Sequence, residues 1–236
     1  MDGQIGIRNF VKILPVRAVP DGDERDKDVA NAIRYSVRMG AKVISMSFGK
    51  AFKSPGYGAV EAAMQFALDR DVVLVHAAGN SSKDLEDPKN GNFPTPISSR
   101  TRQHVPHWLE VGANAFSIDN ELVAEFSNYG KRTVDLFGPG RDIFSTTPNG
   151  TFDTFSGTSM AAPNVAGVAA FIRSQFPKLT AIQVANVLRA SVFKPLRDLS
   201  VIKPGEDDQS ILFSEMSRTG GIVNLEKAMN AAALIK

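Results

Sequence analysis

Short apolar runs alternate with amphipathic segments along most of the chain. FVKILPVRAV (Phe10 to Val19) has the β-branched density of a strand, although Pro15 inside it argues for an edge, a bulge or a break. In DKDVANAIRYSVRMG, Val29, Ile33 and Val37 recur at i, i+4 and i+8, acids occupy the first turn, and Gly40 is placed to end the segment. That pattern predicts a helix. KVISMS (Lys42 to Ser47) reads as a buried strand, a helix is expected from about Gly58 to Arg70, and DVVLVHA follows as another strand. From Ser81 to Gln103 the chain is rich in Asp, Asn, Pro and Ser and reads as loop. WLEVGA, VDLF and DIFS are further short strands, while TSMAAPNVAGVAAFIRSQF is a long apolar helix with small residues early in it. TAIQVANVLRASV and NLEKAMNAAALI predict two more helices, and the stretch from Phe193 to Arg218 reads as polar, irregular surface.

Strands alternating with helices predict an α/β fold built from βαβ units, with a mainly parallel central sheet flanked by helices. No internal repeat or linker is visible, so residues 1–236 read as a single domain. Ligands of such sheets sit beyond the carboxyl ends of the strands. SFGK leaves the KVISMS strand at that edge and AGNSS leaves DVVLVHA there.

Composition narrows the choice of partners. Hydrophobic residues make up 43% of the chain and charged residues 22%, an ordinary globular balance. A net charge of +2 with both signs interspersed gives no pull toward nucleic acid. The absence of cysteine excludes disulfides, a thiol nucleophile and thiolate metal sites. MDGQIGIRNF lacks the basic-then-apolar layout of a signal peptide, and no stretch approaches the ~18 apolar residues that span a bilayer, so no membrane partner is expected. The acids of DGDERDKD read as a solvated helix start favoured by the helix dipole. A calcium loop is the sharper alternative, but the EF-hand spacing is absent, so no structural calcium is assigned and no cofactor is required.

Candidate chemistry gathers in two places. Gly157-Thr158-Ser159-Met160-Ala161-Ala162-Pro163 sets a serine in the first turn of the long helix. Unpaired backbone N–H groups and the positive end of the dipole surround a residue placed there. A serine hydroxyl becomes a useful nucleophile only with a base to take its proton and donors to hold the oxyanion. Pro163 breaks a local rule, because it deprives the Ser159 carbonyl of its helical donor. Taken alone, a serine at the start of an apolar helix is more often an ordinary helix cap. Asn80, closing HAAGN directly after a strand, could offer an amide to an oxyanion, or could be a plain turn asparagine.

Taken together, GTSMAAP, HAAGN, VISMSFG and EFSNYG resemble the subtilisin-like (subtilase) serine endopeptidases in order and spacing, from about Val11 to Val192 and on to GGIVN (Gly220 to Asn224). The resemblance implies a three-layer subtilisin-like fold with a seven-stranded type of sheet, and hydrolysis of polypeptide substrates through an acyl-enzyme. It implies Ser159 as nucleophile, with Asn80 and the Ser159 N–H as oxyanion donors and Thr158 supporting them. It further implies that Ser47, Phe48 and Gly49 pair with an extended substrate as an added strand, and that Ala78 and Gly79 line the pocket for the side chain beside the scissile bond.

The family's triad runs Asp, His, Ser along the chain. No early-strand Asp motif and no HGTH helix precede Ser159, so the N-terminal part of the family's domain is expected to be missing here. The missing segment would then be a partner, and the chain alone is expected to have very low activity. The intact family member is expected outside the cell or in its envelope. Of the three histidines, His76 reads as a buried core residue, while His104 and His107 fall beside the loop, where surface positions are the default. None is assigned as a base. An α/β-hydrolase elbow at Gly157–Ala161 fails because no histidine follows His107. A Rossmann reading fails for want of G-x-G-x-x-G. A peptide-binding scaffold without catalysis is the remaining rival.

Overall fold

The computed structural model describes residues 11–19, 22–206 and 208–235. Its centre is a four-stranded parallel sheet in the order β1 (Val43–Met46), β2 (Val73–Ala77), β3 (Trp108–Asn114) and β4 (Leu136–Pro139). Helix α1 (Asp26–Arg38) precedes β1, and α2 (Tyr57–Leu68) joins β1 to β2. The long α3 (Thr158–Gln175), α4 (Ala181–Ala190) and α5 (Leu225–Ala233) come from the second half of the chain.

Alternation along the strands sends successive side chains to opposite faces. Val73, Val75, Ala77, Leu109, Val111 and Ala113 join α3, α4 and α5 in the largest apolar cluster. Leu74 and Trp108 face the other way, with Val29, Ile33, Val60 and Met64 of α1 and α2. The central strands are covered on both faces, which is why β2 and β3 are buried throughout. Two glycines mark close approaches. A Cβ on Gly138 would stand 3.1 Å from the Ala161 carbonyl oxygen, and one on Gly140 2.8 Å from that of Gly157. Strand β4 and its exit can therefore lie directly against the start of α3.

Helix ends follow local chemistry. Gly40, at φ +89°, turns the chain out of α1, and its N–H meets the Val37 carbonyl at 3.0 Å. Thr180 and Gln183 form a reciprocal capping box on α4. Asn224 caps α5 by accepting from the Lys227 N–H at 2.8 Å.

Three sequence expectations are corrected, and a fourth is refined. Among the described residues the central sheet has four strands, not the seven-stranded type. Residues 11–19 form no strand, with Pro15 in their middle; Phe10, Pro20 and Asp21 lie outside the described residues. DIFS does become a strand, β5 (Ile143–Thr147), but it pairs antiparallel with β6 (Thr151–Phe155) in a separate hairpin. On that hairpin Phe144 and Phe152 stack at 5.6 Å while both stay exposed. The stretch 193–218 is not mere surface. It carries the small hairpin β7 (Ser200–Ile202) and β8 (Ser210–Leu212), and buries Val201, Phe213 and Met216 against Leu122, Tyr129 and Phe137. Its apolar residues fall in runs of two or three, Val201-Ile202 and Ile211-Leu212-Phe213, too short to show a period.

Candidate active site

The carboxyl ends of β1 and β2 and the first turn of α3 converge on one cavity of about 730 Å³. Ser47, Phe48, Gly49, Gly79, Asn80, Thr158 and Ser159 all line it, together with Ala77 and Asn92. Of the residues singled out in the sequence, only Ala78 is absent from its wall. Its side chain is fully buried, and its neighbours Ala77 and Gly79 face the cavity instead.

The turn after β2 is held from two sides. Gly79 takes φ +97°, and a Cβ there would stand 2.5 Å from Asn128 Nδ2, so only glycine fits. The Gly79 N–H donates to Thr158 Oγ1 at 3.0 Å. Asn128 Nδ2 donates to the Ala78 carbonyl at 2.7 Å, and its Oδ1 accepts from the N–H groups of Ser81 and Lys83. Asn128 thus staples the AAGN turn. It lies within EFSNYG, and that motif is the signal for it in the sequence.

Asn80 is oriented by α3. Its Oδ1 accepts from the Thr158 N–H and from Thr158 Oγ1, both at 2.8 Å. An amide with its oxygen committed twice must present Nδ2 elsewhere, and a Cβ on Gly157 would lie 3.3 Å from that nitrogen. Thr158 spends one orphan N–H of the helix on this contact. The next one, the Ser159 N–H, bonds no described residue.

Pro163 has its consequence here as well. The Ser159 carbonyl, deprived of a helical donor, accepts instead from Ser47 Oγ at 2.9 Å. This bond ties the end of β1 to the turn that carries the serine. In return Ser159 Oγ lies 3.5 Å from the Ser47 carbonyl oxygen, at the outer limit of a hydrogen bond. No described histidine lines the cavity.

The three histidines have other partners. His76 is fully buried beneath Phe48, with Nε2 2.7 Å from the Phe48 carbonyl oxygen and Nδ1 3.0 Å from both carboxylate oxygens of Glu110. A carbonyl only accepts, so Nε2 donates, and a second proton must lie between Nδ1 and the carboxylate. Trp108 Nε1 donates to Glu110 at 2.7 Å and Asn92 Nδ2 at 3.1 Å. His104 Nε2 meets Asp135 at 3.1 Å, before β4 and away from the cavity. His107, expected at the surface, is fully buried. Apart from the influence of the Met64 carbonyl, neither of its ring nitrogens has a hydrogen-bond partner. Burial pushes its imidazole down to about 4. The cause is position: it immediately precedes β3, under α2.

Two of the acids at the start of α1 make protein contacts. Glu24 Oε1 accepts from the Gly49 N–H at 2.8 Å, and Asp26 pairs with Lys50 Nζ and Ser54 Oγ. Among the described residues no group of three or more His, Asp or Glu could hold a metal ion, and no helix is long and apolar enough to cross a membrane.

The subtilase family model (peptidase S8) matches residues 1–215. The chain belongs to that family. It is 35% identical over 184 residues to thermitase of Thermoactinomyces vulgaris, covering 78% of this chain and 59% of thermitase. It is 31% identical over 191 residues to subtilisin DY of Bacillus licheniformis, covering 80% of this chain and 64% of that protein. The chain thus spans less than two thirds of either subtilase. Among solved structures, the prenylagaramide maturation protease PagA superposes with a TM-score of 0.69 at 27% identity, over 93% of this chain and 72% of that one. The subtilisin-like fold is therefore shared, with the parallel sheet packed by helices on both faces.

Proposed function

We propose that the cavity is a serine endopeptidase centre, in which Ser159 attacks a peptide carbonyl and the resulting acyl-enzyme is hydrolysed. The observation that carries this is the double commitment of Asn80 Oδ1 to Thr158, which leaves Asn80 Nδ2 and the Ser159 N–H as the two donors available for an oxyanion beside Oγ. Thr158 positions the amide. Ser47, Phe48 and Gly49 supply a backbone edge on which an extended polypeptide lies, though the Gly49 N–H must first release Glu24. Gly79 and Ala77 leave room for the adjoining side chain.

No described histidine lines the cavity with Ser159, so turnover by this chain alone is low. In subtilisin, loss of the triad serine or histidine costs about 10⁶ in turnover, leaving about 10³–10⁴ over water from the oxyanion hole and binding. The missing Asp and His would come from a segment outside those described, acting as a partner to this cavity. The test is hydrolysis of a peptide ester by the purified chain, with Ser159→Ala beside it. Slow turnover that Ser159→Ala abolishes supports the proposal, and turnover unaffected by Ser159→Ala sinks it. A peptide-binding scaffold without catalysis is the second reading. It is favoured by the approach of Ser159 Oγ to the Ser47 carbonyl rather than to a base. Binding with no Ser159-dependent turnover at all would select it.

A further inference from the structure

The backbone edge that ends β1 is already occupied by the chain itself. The Phe48–Gly49 peptide is trans and planar, so its carbonyl and its N–H point opposite ways. His76 Nε2 donates to the Phe48 carbonyl at 2.7 Å from the buried side, which turns the Gly49 N–H toward the cavity. There it donates to Glu24 Oε1 at 2.8 Å. Glu24 and Gly49 both line the cavity that holds Ser159. The two ends of this contact are fixed. Lys50 and Phe93 exchange backbone hydrogen bonds at 3.1 and 2.9 Å, which pins the chain directly after Gly49. Lys50 Nζ meets the Glu24 carbonyl at 3.2 Å and Asp26 Oδ1 at 2.5 Å, which pins the backbone that carries the carboxylate.

We propose that Glu24 is an autoinhibitory latch. Its carboxylate takes the place of a peptide carbonyl on the Gly49 N–H and keeps extended polypeptides off this edge until one displaces it. A charged acceptor bonds an N–H about twice as strongly as a neutral carbonyl does. The carboxylate is also tethered beside its donor, whereas an incoming peptide gives up its translational freedom to bind. Opening requires only rotation about the side-chain bonds of Glu24, because Lys50 holds the backbone in place. The inference rests on the serine-site reading of the same cavity, and its test separates the two.

The isotope-labelled chain is titrated with N-acetyl tetraalanine amide, beside Glu24→Ala and Glu24→Gln. Shifts in the Ser159 and Asn80 amide resonances report occupation of the serine site, and the Gly49 amide reports the latch. Glu24→Ala is expected to bind the peptide about 10-fold more tightly than the wild type, as the loss of one charge-assisted competitor allows. Glu24→Gln is expected to gain only about 3-fold, because its amide oxygen still competes without the charge. Equal affinities in the wild type and Glu24→Ala, with Ser159 and Asn80 both shifting, overturn the latch while leaving the serine site standing. Weaker binding by Glu24→Ala also overturns it, since Glu24 would then be holding the peptide. No shift at Ser159 or Asn80 in any of the three chains at millimolar peptide overturns both readings. Should the variants fail to fold, the wild type decides. The coupling through the hydrogen bond between the Gly49 nitrogen and the Glu24 carboxylate carbon is expected to vanish as the peptide saturates, and a coupling that persists at saturation overturns the latch.

Discussion

Glu110 and Asp135 are both fully buried, both contact a histidine, and are linked by the Glu110 N–H donating to Asp135 at 2.8 Å. Their surroundings differ in kind. Asp135 faces two guanidinium cations, Arg189 Nε at 2.7 Å and Arg218 Nη1 at 2.9 Å, and the imidazole of His104, Nε2 at 3.1 Å. Burial alone would push its carboxyl up, but the His104 hydrogen bond and the Arg189 charge outweigh it and hold the group below the usual carboxylate range. None of these residues lines the cavity, and the cluster ties α4 and the chain around Arg218 to the sheet. Glu110 is held instead by His76, Trp108 and Asn92, and through Phe48 and Asn92 it reaches two walls of the cavity. A histidine beside a carboxylate is thus no sign of catalysis by itself. What the outer members touch tells a brace from a site.

Asp135→Asn should expose this difference most strongly. Removing the one anion between two guanidinium partners in a buried setting is expected to cost about 3–5 kcal/mol in urea unfolding. Peptide affinity of the folded fraction should stay unchanged; a loss of affinity would show that the brace reaches the cavity.

Acid comes next. His107 is neutral in the folded chain, whereas in the unfolded chain it takes up a proton near pH 6.5. Stability from this group is therefore complete above pH 6.5, declines as the pH falls to about 4, and levels off below. Between pH 7 and pH 4 the wild type should lose about 3 kcal/mol more than His107→Leu, measured by urea unfolding at each pH. Equal losses would show that His107 is solvated.

Glu110→Gln keeps the shape and removes the charge that His76 faces, at an expected cost of about 1–3 kcal/mol. Unlike Asp135→Asn, it should also weaken peptide binding, because the Phe48 and Asn92 walls loosen together. Thr158→Val gives the smallest effect. It removes one of the two bonds to Asn80 Oδ1 and leaves the Gly79 N–H without its acceptor, for about 1 kcal/mol in unfolding. Its signature is a displaced Asn80 side-chain amide resonance.

Much of this was legible in the chain itself. The i, i+4, i+8 spacing of Val29, Ile33 and Val37 specified α1, the β-branched runs specified β1 to β3, and the serine heptad marked the first turn of α3. These are properties of neighbours along the backbone, where side-chain period and capping chemistry act within a turn or two. Asn92 and Glu110 carried no such mark, because each works on a partner 15 or more residues away. Pro163 shows both halves of the division. The sequence alone told that the Ser159 carbonyl would lose its helical donor; that Ser47, 112 residues earlier, replaces that donor was decided only when β1 and α3 were packed together. Local geometry follows from covalent sequence, whereas satisfaction of a buried polar group depends on which distant atom the packed fold brings within 3 Å.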